Sequence, residues 1–228
     1  MELLLEIRTE ELPASHVRSA LEQLDAKFRA ELKSAGIAVR ELATNGTCRR
    51  LVVTADLAAG QEDAGVVVTG PPKAVAFLPD GTYSPAALGF AKARGIPVAA
   101  LEVVVTPRGE YLGTRTLRKG RPAAEVLTGS IPGIIASLSF PRTMRWRESP
   151  FKFSRPIKGL LALLDGKVLP VEFEGMAATD STVGHPVFAP GPVRVAGISD
   201  YRDKLAKALV IVDFEDRRKT ILSQIEER

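Results

Sequence analysis

The chain has 228 residues, 45% of them hydrophobic and 25% charged, with a net charge of +4 and a sequence pI near 9.3. This is the mixture of one large or two small globular domains, and no apolar run approaches the roughly 20 residues of a membrane span. The opening Met1-Glu2-Leu3-Leu4-Leu5-Glu6 lacks the basic start and long apolar run of a signal peptide. The lone Cys48 excludes an internal disulfide and a cysteine-based zinc site, so a cytoplasmic protein is expected.

Residues 2–8 read as a first strand with Leu3, Leu5 and Ile7 on one face. Thr9-Glu10-Glu11-Leu12-Pro13 reads as a helix entry, with acids in the first turn and proline just inside it. Val17, Leu21, Leu24, Phe28 and Leu32 then form one apolar stripe on a helix that ends near Gly36. Two strands, 37–42 and 50–57, are expected around a turn at Asn45-Gly46. Residues 60–65 form a polar connection, and the short apolar run Val66-Val67-Val68 stops at Gly70-Pro71-Pro72. Asp80-Gly81 marks a turn, Ser84-Pro85 starts a short helix, and Gly95 closes it. Residues 101–105 and 110–117 predict a hairpin around Pro107-Arg108-Gly109.

Residues 122–138 are apolar at helical spacing, but Gly129, Pro132 and Gly133 predict a break into two short helices. Residues 140–156 read as loop plus a short strand. Asp165-Gly166 between 160–164 and 167–173 is the clearest hairpin turn. Residues 184–192 are loop, Ser199-Asp200 caps a helix through Ala208, and Asp213 with Asp216 resembles a capping box for a last helix. That helix carries Ile221, Leu222 and Ile225 on one side and shows no stop signal before Arg228, which predicts a longer parent protein.

Charge is concentrated. From Arg115 to Lys158 there are ten basic residues against Glu125 and Glu148, a net of +8, so the rest of the chain carries −4. The same stretch holds Trp146, Phe140, Phe151 and Phe153. Clustered cations interleaved with aromatics suit a surface that meets phosphates and stacks on bases; equally, the cations could solvate a loop while the aromatics fill the core. Trp146 divides in the same way between stacking platform and core anchor.

Chemistry of other kinds is poorly supplied. The sequence has no phosphate-binding loop of either common glycine-rich pattern and no nucleophile elbow. His16 and His185 have no evident second ligand. Cys48 beside Arg49 and Arg50 reads as a small buried strand residue rather than a catalytic thiol. Glu10-Glu11 reads as helix-dipole acids rather than an acid–base pair.

An ordered set of motifs resembles the beta subunit of bacterial heterotetrameric glycyl-tRNA synthetase. It begins with residues 3–13, LLLEIRTEELP, and continues through Arg49-Arg50-Leu51, Gly70-Pro71-Pro72, Ala87-Leu88-Gly89-Phe90-Ala91 and Lys119-Gly120-Arg121-Pro122. It then runs through Phe140-Pro141-Arg142-x-Met144-Arg145-Trp146, Phe153-x-Arg155-Pro156, the 160–164 strand, Gly184-His185 and Asp213-Phe214-Glu215-x-Arg217-Arg218. Arg8 stands where the family usually has glycine, Pro186 follows His185 where arginine is usual, and Asn45-Gly46-Thr47-Cys48 replaces a more usual Thr-Pro. The resemblance implies an N-terminal piece of a subunit about three times longer. It implies an α+β fold of strand–helix–hairpin modules with mixed or antiparallel sheets, similar to the body and tail domains of archaeal CCA-adding enzymes.

The expected organisation is a body and tail region of residues 1–60 and 101–228, with 61–100 as a small inserted or connecting subdomain. The resemblance further implies an RNA-binding, non-catalytic role: gripping the acceptor arm of tRNA-Gly while the alpha subunit uses ATP, Mg and glycine. No cofactor or metal is expected on this chain itself. Expected partners are that tRNA arm, the alpha subunit and further beta-subunit domains, with no membrane. Expected RNA contacts are Arg49, Arg50, Arg142, Arg145, Trp146, Lys152, Arg155 and Lys158. The alternative is a scaffold that docks the alpha subunit or other beta-subunit domains.

Overall fold

A computed structural model describes residues 1–78, 80–146 and 148–227, and it is an α+β protein. In chain order the first elements are β1 (Glu2–Thr9), α1 (Ala14–Ser34), β2 (Val39–Thr47), β3 (Arg50–Leu57) and β4 (Ala64–Pro72). There follow α2 (Lys73–Ala76), α3 (Pro85–Arg94), β5 (Glu102–Thr106), β6 (Gly109–Arg118), α4 (Ala123–Ala136) and β7 (Ile157–Leu164). Short strands β8 (Lys167–Val168), β9 (Glu172–Phe173), β10 (Met176–Ala177), β11 (Ser181–Val183) and β12 (Pro192–Arg194) precede α5 (Ile198–Lys207) and α6 (Phe214–Glu226).

Contacts divide the chain into two units, Met1–Gln61 with Arg121–Arg228, and Glu62–Gly120. The smaller unit is an antiparallel sheet β4-β6-β5 whose apolar cluster includes Ala76, Ala87, Ala91 and Leu112. The 102–118 hairpin, assigned from the sequence to the larger region, belongs here because β6 pairs with β4 along 64–72. Consequently β4 does not stop at Gly70 but runs through it. Gly70 is needed for space, since a Cβ there would lie 2.8 Å from the Phe90 ring. Helix α3 has its expected caps: Ser84 Oγ accepts from the Ala87 amide, and Gly95 is left-handed at φ 67°.

The larger unit is built on the antiparallel sheet β2-β3-β1-β7-β8. Strand β1 lies at its centre and is buried on both faces. Leu3, Leu5 and Ile7 meet Leu24, Phe28 and Leu32 of α1 and Leu127, Ile131 and Ile135 of α4 in one core. Leu4 joins Val52, Leu161 and Leu163 in a second core against Tyr201 and Leu205 of α5. Helix α1 ends as expected, with Gly36 at φ 68° and the Ile37 amide returning to Leu32 O at 2.9 Å.

Several boundaries depart from expectation for identifiable reasons. Asn45-Gly46 is inside β2, and the β2–β3 turn falls at Cys48-Arg49, where Thr47 faces Arg50. Gly46 serves close approach, since a Cβ there would lie 2.6 Å from Arg50 O. The Asn45 amide instead donates to Asp213 at the start of α6 (2.9 Å). Cys48 is therefore exposed at a turn rather than buried in a strand. Helix α4 is continuous through Pro132. A proline in a helix interior costs about 3 kcal/mol, but each buried aliphatic side chain returns about 1.5–3 kcal/mol, and Val126, Leu127, Ile131, Ile134 and Ile135 are all buried. The Asp165-Gly166 turn has the positive φ pair that such a hairpin requires, 46° and 73°. Gly197, not Ser199, holds the N-cap position of α5, whereas Asp213 does cap α6, accepting from the Glu215 and Asp216 amides. Those amides, the Asp216 N–H foremost, hold the Asp213 carboxyl below its usual pKa.

Glu6 points into the second core and is 1% exposed. Its Oε2 accepts from Tyr201 OH at 2.5 Å and from Arg50 Nη1 at 3.2 Å, and its Oε1 accepts from the Thr182 hydroxyl. Arg50 Nη2 also donates to Val183 O at 2.9 Å. Burial, reinforced by the Glu6 charge, drives the Tyr201 phenol pKa well up, so it remains a donor. Removing one partner of a buried ion pair leaves the other charge uncompensated, at about 3–5 kcal/mol. Arg50→Ala is therefore expected to destabilise the chain by about that amount in urea unfolding, whereas Arg40→Ala, whose pair with Asp56 is exposed, should change it by less than about 1 kcal/mol.

Candidate nucleic-acid interface

The 140–158 segment turns its aromatics inward and its cations outward. Phe140 packs edge-on to Phe153 at 4.6 Å between ring centres, and Phe151 packs edge-on to Phe173 at 4.9 Å and to Trp146 at 5.6 Å. Met144 and Phe153 exchange backbone hydrogen bonds of 2.8 and 3.2 Å, which closes the segment into a loop. His16 is buried beneath it, bonded through Nδ1 to Ser154 Oγ at 2.6 Å and packed on Phe140. With its hydrophobic face thus fixed, the segment exposes Arg142, Arg145, Lys152, Arg155 and Lys158. Among the described residues no carboxylate lies within ion-pair distance of Arg142, Arg145, Lys152 or Arg155. Arg147 of the same basic run lies outside the described residues, and Arg115, Arg118 and Lys119 belong to the other unit.

The remaining expected contacts sit elsewhere. Arg49 occupies the β2–β3 turn and pairs with Glu11 at 2.5 Å, and Lys158 on β7 pairs with Glu10 at 2.7 Å. Glu10 and Glu11 precede α1, whose first turn holds no acid, so they act as partners of these cations rather than on the helix dipole. All four side chains are substantially solvated, and such pairs contribute about 0–1 kcal/mol, so a phosphate can replace the carboxylates at little cost. Arg50 is only 3% exposed and committed to Glu6. The pairing of Glu6 with Arg50 across the β1–β3 ladder required an inward-facing acid that the sequence reading had not placed. Trp146 is half-buried, packed on the first core, and its indole N–H is buried with no partner among the described residues. The geometry thus makes Trp146 an anchor of the loop rather than an open stacking surface.

Two grooves mark this unit. One, of about 570 Å³, runs past Arg8, Glu10, Glu11, Arg49, Lys158 and His185. The other, of about 710 Å³ and largely apolar, is bounded by Val17 and Leu21 of α1, Gly46 of β2 and Phe214 of α6. No group of three or more His, Cys, Asp or Glu among the described residues is arranged to hold a metal ion. No helix among them is long and apolar enough to cross a membrane.

The larger unit thus displays solvated cations, unpaired among the described residues, over an aromatic core. Comparison with known proteins gives the family. Residues 3–228 match the glycyl-tRNA synthetase beta subunit family, and the chain belongs to that family. It is 38% identical over 227 residues to the glycine–tRNA ligase beta subunit of Syntrophotalea carbinolica, covering 99% of this chain and 33% of that protein. It is 40% identical over 225 residues to that of Moorella thermoacetica, covering 98% and 32%. It therefore spans about a third of the length of these curated relatives.

Trp146→Ala is expected to lower the melting temperature and cost about 1.5–3 kcal/mol, as a half-buried anchor packed on the core. Arg142→Ala and Arg145→Ala, in contrast, should change stability by no more than about 0.5 kcal/mol. Thermal and denaturant unfolding of the three variants checks both halves of this assignment.

Proposed function

We propose that this chain is the acceptor-arm-binding part of a glycine–tRNA ligase beta subunit. In this reading it holds tRNA-Gly while the alpha subunit, using ATP, Mg and glycine, carries out the glycylation, and the chain contributes no adenylation chemistry of its own. The observation that carries it is the set of exposed cations on the 142–156 loop and at the start of β7, in a chain of this family. Arg142, Arg145, Lys152 and Arg155 are solvated and have no ion-pair partner among the described residues, and Lys158 and Arg49 have weak, exchangeable partners. Such contacts position a phosphate backbone without reading bases, so discrimination of tRNA identity belongs to other parts of the subunit. The interface now consists of Arg49, Arg142, Arg145, Lys152, Arg155 and Lys158. Arg50 is left out because its guanidinium is buried in an ion pair, and Trp146 because its ring is packed. Acceptor-arm gripping follows from the resemblance to the body and tail portions of archaeal CCA-adding enzymes.

A specific observation also supports the scaffold reading. Helix α6 exposes Phe214, Ile221, Leu222 and Ile225 at 54%, 51%, 48% and 65%, beside the apolar groove that Phe214 lines. Four large apolar side chains within three turns suit docking by the alpha subunit or another beta-subunit domain. The two roles are compatible, because α6 and the basic loop use different residues.

Salt dependence separates them. If five of these cations meet phosphates, log K for tRNA against log salt should slope at roughly −3.5 to −4.5. A random RNA hairpin should give a similar slope. A slope near zero would leave only the scaffold role.

A further inference from the structure

The loop between β11 and β12 presents an unusual surface. Phe188 is 75% exposed and Val187 72% exposed, yet their backbone is fixed. The His185 amide donates to Ala208 O at 2.9 Å, and the Ala189 amide returns to His185 O at 2.9 Å. His185 Nδ1 accepts from both the Val187 and Phe188 amides at 3.2 Å. At the root of the loop, a Cβ on Gly184 would lie 2.6 Å from Ala208 Cβ, so the chain is pressed against the end of α5. The His185 ring lies 4.9 Å from the Phe188 ring, inclined by 30°. Phe188 is thus a large aromatic face held open to water by hydrogen bonds and by a second ring behind it. A ring held in this way loses little further freedom when a flat partner lies on it.

What adjoins this face determines the partner. His185 and Val187 line the same groove as Arg8, Arg49 and Lys158. Arg8 Nη2 donates to a backbone carbonyl, that of Lys158, at 3.1 Å, and no carboxylate among the described residues pairs with it. Arg49 and Lys158 are the cations whose carboxylate partners are weakly held. A preorganised aromatic beside a cationic groove is the arrangement that binds unpaired nucleotides, with bases on the ring and phosphates on the cations. Val187, Leu209, Val210 and Ile211 also line that groove, so docking of an apolar protein segment is the competing outcome that the test separates.

We propose that Phe188, backed by His185, is a stacking platform for an unpaired RNA nucleotide whose flanking phosphates lie on Arg8, Arg49 and Lys158. The proposal rests on the RNA-binding reading above and deepens it. It moves the base-stacking role from Trp146, which is packed on the core, to Phe188, which is 75% exposed with only the His185 ring against it among the described residues.

The test uses the 228-residue chain and two probes, an RNA hairpin with four unpaired 3′ nucleotides and the same hairpin with a blunt end. The wild-type chain should prefer the tailed hairpin. Phe188→Ala and Phe188→Leu should each weaken binding of the tailed hairpin by about 5- to 150-fold, the range of one lost base–aromatic stack, and leave the blunt hairpin unchanged. Phe188→Trp should keep the affinity and show fluorescence quenching when the tailed RNA binds, a readout independent of whether the alanine variant folds. Equal wild-type affinity for the two hairpins, or a Phe188→Leu variant as good as wild type, would overturn the stacking platform while leaving the RNA-binding reading intact. The leucine result would point to apolar docking by a protein. If the wild-type chain binds neither RNA, the underlying reading fails and the platform fails with it.

Discussion

A carboxylate in the middle of the central strand organises the larger unit. Glu6 has two ladder neighbours, β3 and β7, and its side chain faces α5. In water its charge would be solvated at no cost to the fold. Buried, it requires partners, and each one it recruits comes from a different part of the chain: Arg50 from β3, Thr182 from β11 and Tyr201 from α5. The interaction therefore fixes which face of the sheet α5 covers and, through the bond from Arg50 to Val183 O, where β11 begins. Since the His185 loop follows directly from β11, the position of the exposed Phe188 face depends on a carboxylate far from solvent. A well-packed apolar set can stabilise a fold equally, but it would not tie three segments into one register.

The surface follows from the same division between inside and outside. The 140–158 segment is too rich in proline and charge to form regular structure, so it is held by its aromatic side chains and by the Met144–Phe153 bridge. The aromatics drawn inward leave Arg142, Arg145, Lys152 and Arg155 outside. The exposed cations are thus a geometric consequence of the core beneath them. Where carboxylates are near, at Glu10 and Glu11, the cations pair; Arg142, Arg145, Lys152 and Arg155 have no such partner among the described residues.

Much of this was legible in the sequence. The β1 and α1 patterns, the Ser84 and Gly95 caps, the Asp165-Gly166 turn and the Asp213 cap each rest on a local rule, and local rules are written in neighbouring residues. The misreadings share a different character. Asn45-Gly46 satisfied a turn rule, but Asn45 bonds the distant Asp213, and Gly46 lies inside the strand pressed against Arg50 O of the next strand. Pro132 should end a helix, yet the burial on either side of it is supplied by β1 and α1. Glu6 looked like an interruption of an apolar run; it carried a signal, since a charge within a strand this apolar implies a buried partner. Phe188 carried no signal in a loop of prolines and small residues, because its exposure depends on hydrogen bonds to His185 and Ala208.

The central claim is that the chain meets RNA through cations displayed by the 142–156 loop, the start of β7 and the neighbouring groove. Chemical modification of lysines and arginines, mapped by mass spectrometry with and without bound tRNA, tests it most directly. The account predicts that Arg142, Arg145, Lys152, Arg155 and Lys158 lose reactivity on binding, while Arg18, Lys27 and Lys33 along α1 keep theirs. Protection confined to α1 or α6, with the loop cations as reactive as in the free chain, would contradict it.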